Sequence, residues 1–265
     1  MKPSTFPILS LAATAAAAPL TASRYARNEA LQAERHRTVP PLSAANGQQL
    51  HLNATKQVEY SSNWAGAVLI GTGYTKVTGT FTVPIPSVPS GSGLFEEYCA
   101  SAWVGIDGDT CTASILQTGV DFCVQGSSVS YDAWYEWYPD YAYDFSGITI
   151  SAGDVVTVTV DATSSSAGTA TVENVSTGQT VTHSFSGERD KLCEYNAEWI
   201  VEDFESNGSL VPFADFGTVT FSGATATDDG STVGPSGATI LDIEQNNEVM
   251  TSVSVSGNEV IISYE

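Results

Sequence analysis

From Tyr60 onward the chain is written almost wholly in period two. DVVTVTVDA, TATVENVSTGQTVTHSFS, FGTVTFSGA and MTSVSVSGNEVIISYE alternate apolar and polar residues, with Thr/Gly or Gly/Asn turns between them. That is the signature of half-buried strands. No run of ten or more residues beyond Tyr60 carries helical periodicity. Short strands at regular spacing over about 206 residues predict one all-β domain, an antiparallel two-sheet β-sandwich of the jelly-roll or concanavalin-like kind. PIPSVPSGSG, residues 84–93, reads as a Pro/Gly/Ser loop and as the place where nicking is expected.

Charge narrows the function. The chain has 30 acidic and 9 basic residues. Six of the basic ones, Lys2, Arg24, Arg27, Arg35, Arg37 and Lys56, precede Tyr60; after it only Lys76, Arg189 and Lys191 face 27 of the 30 carboxylates. Nucleic acid is excluded as a partner, because binding it needs a positive patch to replace condensed counterions, and an anionic membrane surface is disfavoured for the same reason. With 27 carboxylates repelling one another near neutral pH, the domain is expected to be more stable at pH 3–4 than at pH 7–8. His36 and His51 lie in the basic segment, leaving His183 as the one imidazole after Tyr60. It sits in TVTHSFSG, which alternates like an exposed strand and has no nucleophile motif beside it. HExxH, DTG and DSG are all absent, so zincin-type and pepsin-type chemistry is not expected, nor is any metal or cofactor.

The N-terminus has the composition of an export signal, with Lys2, an apolar stretch from Phe6 to Ala18 and a run of small alanines. Residues 1–19 are read as a signal peptide and the protein as secreted to the extracellular space. Residues 20–59 are basic, with helical propensity in RYARNEALQAERHR. A cationic segment ahead of an anionic domain is read as a pro-segment that covers an acidic cleft and acts as an intramolecular inhibitor. The third segment, 60–265, is the catalytic domain, expected to be monomeric. Cys99, Cys111, Cys123 and Cys193 fit an oxidising compartment and two disulfides, with three connectivities open from spacing alone. Sequons occur at Asn53, Asn174 and Asn207.

Strand parity sorts the chemistry onto one face. In SAWVGID, Ala102, Val104 and Ile106 point to the core, with Trp103 and Asp107 opposite. In SILQTGVDFC, Leu116, Val120 and Phe122 point inward, with Gln117, Gly119 and Asp121 opposite. In YDAWYEWYPD, Asp132, Trp134 and Glu136 share a face. In NAEWIVEDF, Trp199 and Val201 point inward, with Glu198 and Glu202 opposite. If these strands share a sheet, one face becomes a groove of tryptophans, carboxylates and one glutamine. Spacing does not connect Gln117 to Glu198, which are 81 residues apart.

YSSNWAGAVL, AWVGIDGDTC, ILQTGVDFC, YDAWYEWYPDYAYDFSG and NAEWIVEDFES closely resemble, in order, blocks of the glutamic peptidases known as eqolisins, secreted acid endopeptidases found chiefly in fungi. The resemblance runs from about Val58 to Glu265. It implies a two-sheet β-sandwich, protein and peptide substrates, and a catalytic pair at Gln117 and Glu198. Glu198 would act as general base and acid on a water, and Gln117 would donate to the oxyanion. It places Trp64, Trp103, Asp107, Asp121 and Glu136 along the groove, with Asp107 and Asp121 holding hydrogen bonds around the pair, and strand parity adds Trp134. It further implies disulfides Cys99–Cys123 and Cys111–Cys193 and poor inhibition by pepstatin. Some relatives carry a longer 84–93 loop that is excised to give two chains; here it is short and lacks basic residues, so that processing is not expected.

Two rival readings fit the residues without the resemblance. A β-jelly-roll glycoside hydrolase would use Glu136 and Glu198 as its carboxylate pair and have no need of Gln117. A lectin-like carbohydrate-binding module would need no catalytic residue at all.

Overall fold

The computed structural model describes residues 39–42, 58–93, 95–206 and 208–265. The expected signal peptide, the helical stretch within the pro-segment and the sequons at Asn53 and Asn207 lie outside those residues. The described residues belong to one compact unit.

The described residues fold without a helix, into two large sheets and a small ribbon. The front sheet runs, edge to edge, β1 (Val58–Ser61), β16 (Thr239–Gln245), β2 (Trp64–Ile70), β11 (Asn196–Glu202), β4 (Glu97–Ile106), β5 (Ile115–Gln125), β6 (Ser128–Tyr138) and β7 (Tyr143–Asp144), with β17 (Glu248–Val249) paired to β16. The back sheet runs β10 (Gln179–Ser186), β9 (Ala167–Asn174), β8 (Val155–Ser164), β3 (Tyr74–Thr82), β14 (Thr218–Asp228), β19 (Glu259–Tyr264) and β18 (Thr251–Ser256), with β15 (Ser231–Val233) beside β14. The ribbon is β12 (Glu205–Ser206) and β13 (Ser209–Leu210). The sandwich is antiparallel as expected, apart from one parallel pair, β1 with β16.

The back sheet behaves as alternation predicts. Val156, Val158 and Val160 of β8 are buried against the front sheet. The opposite face carries cross-strand threonine pairs such as Thr78–Thr159 at 2.7 Å and Thr80–Thr157 at 2.8 Å, which satisfy their hydroxyls on a wet surface. The front sheet differs: β5 is buried at every position from Ile115 to Val124, and β11 along its whole length. Its inner face contributes Val104, Leu116, Val120, Phe122 and Val201 to the main core. Trp199, also inward, donates its Nε1–H to the Thr78 carbonyl of the back sheet at 2.8 Å. Its outer face carries a second apolar cluster of Trp64, Val68, Trp103, Ile115, Trp134, Ile200 and Leu241.

That outer cluster is built from alternating large and absent side chains. One row across the sheet reads Leu241, Gly66, Ile200, Trp103, Gly119, Trp134. A Cβ on Gly119 would collide with the Ala102 carbonyl and with the Cα and Cβ of Trp103, so the glycine makes room for the tryptophan's backbone as well as its ring.

Two surface expectations change. His183 is half-buried rather than exposed, its ring stacked on Tyr135 at 4.0 Å and 9°. The Asn174 side chain is fully buried. It donates to the Thr149 carbonyl and Asp154 Oδ2 and accepts from Thr177 N–H, so this sequon offers no free amide for a glycan.

Gly119→Ala is expected to destabilise the fold by about 2–3 kcal/mol through overpacking against backbone. Denaturant unfolding at pH 4 checks this, and a variant within experimental error of the parent would contradict it.

Candidate active site

Four strands of the front sheet deliver one transverse row. Glu198 on β11 lies opposite Gly105 on β4, Gly105 opposite Gln117 on β5, and Gln117 opposite Glu136 on β6. Neighbouring strands stand about 4.8 Å apart, so the backbones bearing Glu198 and Gln117 are separated by roughly 10 Å, two strand spacings. Only a glycine stands between them. A Cβ on Gly105 would lie 2.8 Å from Glu198 Oε1 and 2.8 Å from the Trp103 ring. The missing side chain keeps the strip between the glutamate and the glutamine clear.

All three polar side chains of the row are fully buried. Gln117 Nε2 donates to Glu136 Oε2 at 3.0 Å, which fixes which end of the amide is the donor. Gln117 Oε1 and both carboxylate oxygens of Glu198 have no hydrogen-bond partner among the described residues. Buried polar atoms almost always find partners; three orphans flanking one glycine mark a place built to receive polar groups from outside the chain.

The next polar row holds the tryptophans. Glu202, Ser101, Asp121 and Asp132 lie side by side on the same four strands. Trp103 donates its Nε1–H to Glu202 Oε2 at 2.9 Å. Trp134 donates to Ser101 Oγ at 3.0 Å, and that hydroxyl donates on to Asp121 Oδ1 at 2.6 Å. Trp64 meets Trp103 edge to face, with centroids 4.9 Å apart at 79°. The three tryptophans thus share the outer face with the Glu198 row, two of them pinned by buried carboxylates directly or through a serine.

Asp107 plays a different part from the expected one. It follows β4 with φ of +69°, and its carboxylate turns away from the Gln117 row. Oδ2 accepts the N–H groups of Cys193 and Glu194 at 2.7 and 2.8 Å; Oδ1 accepts those of Tyr195 and Asn196 at 2.7 and 3.2 Å. Four backbone donors wrap one carboxylate in an anion nest. The Cys111–Cys193 disulfide and the Asn196 side chain, which accepts from Thr110 N–H at 2.9 Å, tie the same segment to the 108–112 turn. The effect is to fix the entry of β11 two residues before Glu198. Asp121 accepts from Ser101 and, through it, holds a tryptophan. Cys99 and Cys123 are cross-strand neighbours on β4 and β5, joined by the other disulfide. Sequence reasoning passed over Ser101, Asn196 and the anchoring role of Glu202. Ser101 could have been found from parity, two residues before Trp103.

The profile of the Peptidase A4 family matches residues 62–264. Aspergillopepsin-2 of Aspergillus niger is 62% identical over 281 aligned positions, covering all of both chains. Scytalidopepsin B of Scytalidium lignicola is 46% identical over 241, covering 88% of each. Among solved structures, scytalido-glutamic peptidase with a transition-state-analogue inhibitor superposes with a TM-score of 0.70 at 48% identity, over 77% of this chain and 98% of that one. Aspergilloglutamic peptidase from Aspergillus niger gives 0.62 at 69% identity, over 63% and 99%. The two-sheet sandwich and these matches define a glutamic peptidase. The chain belongs to the Peptidase A4 family, which displaces the glycoside-hydrolase and lectin-like readings.

Burial raises each of the site's shifted carboxyls. Burial pushes the Glu198 carboxyl well above the usual range, with Asp107 and Asp109 adding repulsion. Burial does the same to Glu202, aided by Glu136 and opposed by the hydrogen bonds it accepts. Beside it, burial raises Asp203 to about 8 against the Gln245 hydrogen bond, and on β16 it raises Asp242 to about 6. In the unfolded chain such carboxyls ionise near pH 4. Below that pH both states are protonated and the stability these groups contribute is fully present. As pH rises towards the folded-state values the unfolded chain ionises first, and that stability is lost. The window runs from about pH 4 to 6 for Asp242 and to about 8 for Asp203.

Melting followed by circular dichroism should therefore give a Tm at pH 7.5 lower than at pH 4 by about 10 °C or more. Asp203→Asn should narrow the gap. A Tm that is level or rises between those pH values would contradict this account.

Proposed function

We propose that the protein is a secreted acid endopeptidase made as a zymogen, in which Glu198 and Gln117 divide the work of peptide hydrolysis. The observation that carries the reading is the row Glu198–Gly105–Gln117–Glu136, with its buried polar atoms open on either side of a glycine. A water beside Glu198 attacks the scissile carbonyl; the ionised carboxylate takes its proton and returns it to the leaving amine. Gln117 donates an amide N–H to the oxygen as negative charge develops there. Glu136 acts through Gln117, holding one amide hydrogen so that the donor end stays in place. Trp64, Trp103 and Trp134 supply an apolar floor for an extended peptide.

The chemistry suits acid. An amide has no titratable proton and donates at pH 3 as at pH 7, whereas a histidine base would be protonated there. A carboxyl raised by burial is a stronger base present in smaller amount, and donors reaching it from a bound water counter the shift. Protonation also relieves the repulsion among 27 carboxylates. Pepstatin, which engages an aspartate dyad, has none to engage here.

The test is cleavage of denatured casein at pH 3 with pepstatin present, using protein freed of residues before Tyr60. Wild type should cleave. Gln117→Ala should lose about a hundred- to a thousandfold, and Glu198→Gln about a hundredfold to ten-thousandfold. Glu198→Gln should also melt higher than wild type at pH 7, since it removes a group that ionises more readily in the unfolded chain than in the fold. Cleavage that survives either substitution, or that pepstatin abolishes, would overturn the proposal.

A further inference from the structure

Ahead of β1 the structure describes one short piece of chain, residues 39–42. It lies against Ser62 and Asn63, the two residues that join β1 to β2. Ser62 N–H donates to the Leu42 carbonyl at 2.9 Å. Leu42 N–H donates to Asn63 Oδ1 at 2.7 Å, and Asn63 Nδ2 donates to the Val39 carbonyl at 3.3 Å. All three bonds read main chain, and none reads a side chain. Between the two contacted residues stand Pro40 and Pro41. Their rings fix φ near −65°, so the segment reaches the contact with little backbone freedom left to lose.

The side chain that receives it is fully buried. Besides Leu42 and Val39, Asn63 Oδ1 accepts from Ser61 Oγ at 2.8 Å and Nδ2 donates to Glu202 Oε1 at 3.4 Å. The last contact joins the amide to the groove, because the other oxygen of Glu202 holds Trp103. Asn63 also immediately precedes Trp64, which is the cross-strand neighbour of Glu202. Removal of residues 39–42 would take from a buried amide one donated and one accepted hydrogen bond, both of which favour being made again.

We propose that Ser62 and Asn63 form a peptide-backbone clamp at the Glu202 end of the groove. Residues 39–42 occupy it in the full chain, and it binds the backbone of an extended peptide substrate once they are gone. The proposal rests on the reading of the residues before Tyr60 as a pro-segment. The clamp takes a carbonyl from one residue, then an N–H and a carbonyl from the residue three further on. It is therefore indifferent to most side chains, but it excludes proline at the place of Leu42, where the N–H is required.

The probe is the acetylated, amidated tetrapeptide Val-Pro-Pro-Leu, added at pH 4 to enzyme freed of its pro-segment. Competitive inhibition of casein cleavage is expected. The same peptide N-methylated at leucine should inhibit about tenfold less well, with the protein itself untouched. Asn63→Ala should bring the two peptides to nearly equal potency. Equal inhibition of wild type by both peptides, inhibition that is not competitive, or no inhibition by either would overturn the clamp. The pro-segment reading has its own readout: a full-length chain that cleaves at full rate with its N-terminal residues still attached sinks that reading, whatever the peptides do.

Discussion

Carboxyl groups sealed into a sheet face set the terms for the rest of this molecule. Glu136, Glu198, Glu202, Asp121 and Asp203 are all buried on or beside the outer face of the front sheet. Among the described residues, these carboxylates accept hydrogen bonds from Trp103, Asn63, Ser101, Gln117 and Gln245. Burying an ionised carboxylate without a counter-charge is costly, whereas a protonated one needs only hydrogen bonds. The fold is thus matched to acid, and the property that places Glu198 where it can act is the one that makes the protein intolerant of base.

Such a face has to be rigid, since its polar atoms would otherwise draw in water or collapse on one another. Rigidity comes from frames around the site rather than from the site itself. Asp107 gathers four backbone N–H groups just before β11, and the Cys111–Cys193 disulfide crosses at the same point. The Cys99–Cys123 bridge locks β4 to β5 at the other end of the pair that carries Gly105 and Gln117. Glu202 and Ser101 then hold two tryptophans at fixed angles. Among the described residues Glu198 has no hydrogen-bond partner, which suits the proton exchange with a bound water proposed for it.

Much of this was legible in the sequence, because strand parity is local. The inward set Val104, Leu116, Val120 and Trp199 and the outward set Trp103, Gln117, Glu136 and Glu198 follow from alternation alone. Register between strands is not local, so the alignment of Glu198 with Gln117 across Gly105 required either a family resemblance or a structure. Parity also said nothing about depth: the outward face of β5 is buried throughout from Ile115 to Cys123, with Ile115 in the same apolar cluster as Trp103 and Trp134. Asp107 shows the same limit. Its position one residue past Ile106 continues the alternation on paper, but the positive φ there turns the side chain out of the row. Asn174 was open to glycosylation as a motif and closed to it as a buried, hydrogen-bonded side chain.

In the proposed mechanism a glutamate and a glutamine work on one substrate atom group across the space a glycine leaves. Gly105→Ala tests it most directly, because it adds a single methyl group between the pair and changes no ionisable or hydrogen-bonding residue. The account predicts that cleavage of casein at pH 3 falls by about a hundredfold or more, while the Tm at pH 4 stays within a few degrees of wild type. Cleavage at the wild-type rate by the correctly folded variant would show that the space over Gly105 is not where the reaction takes place.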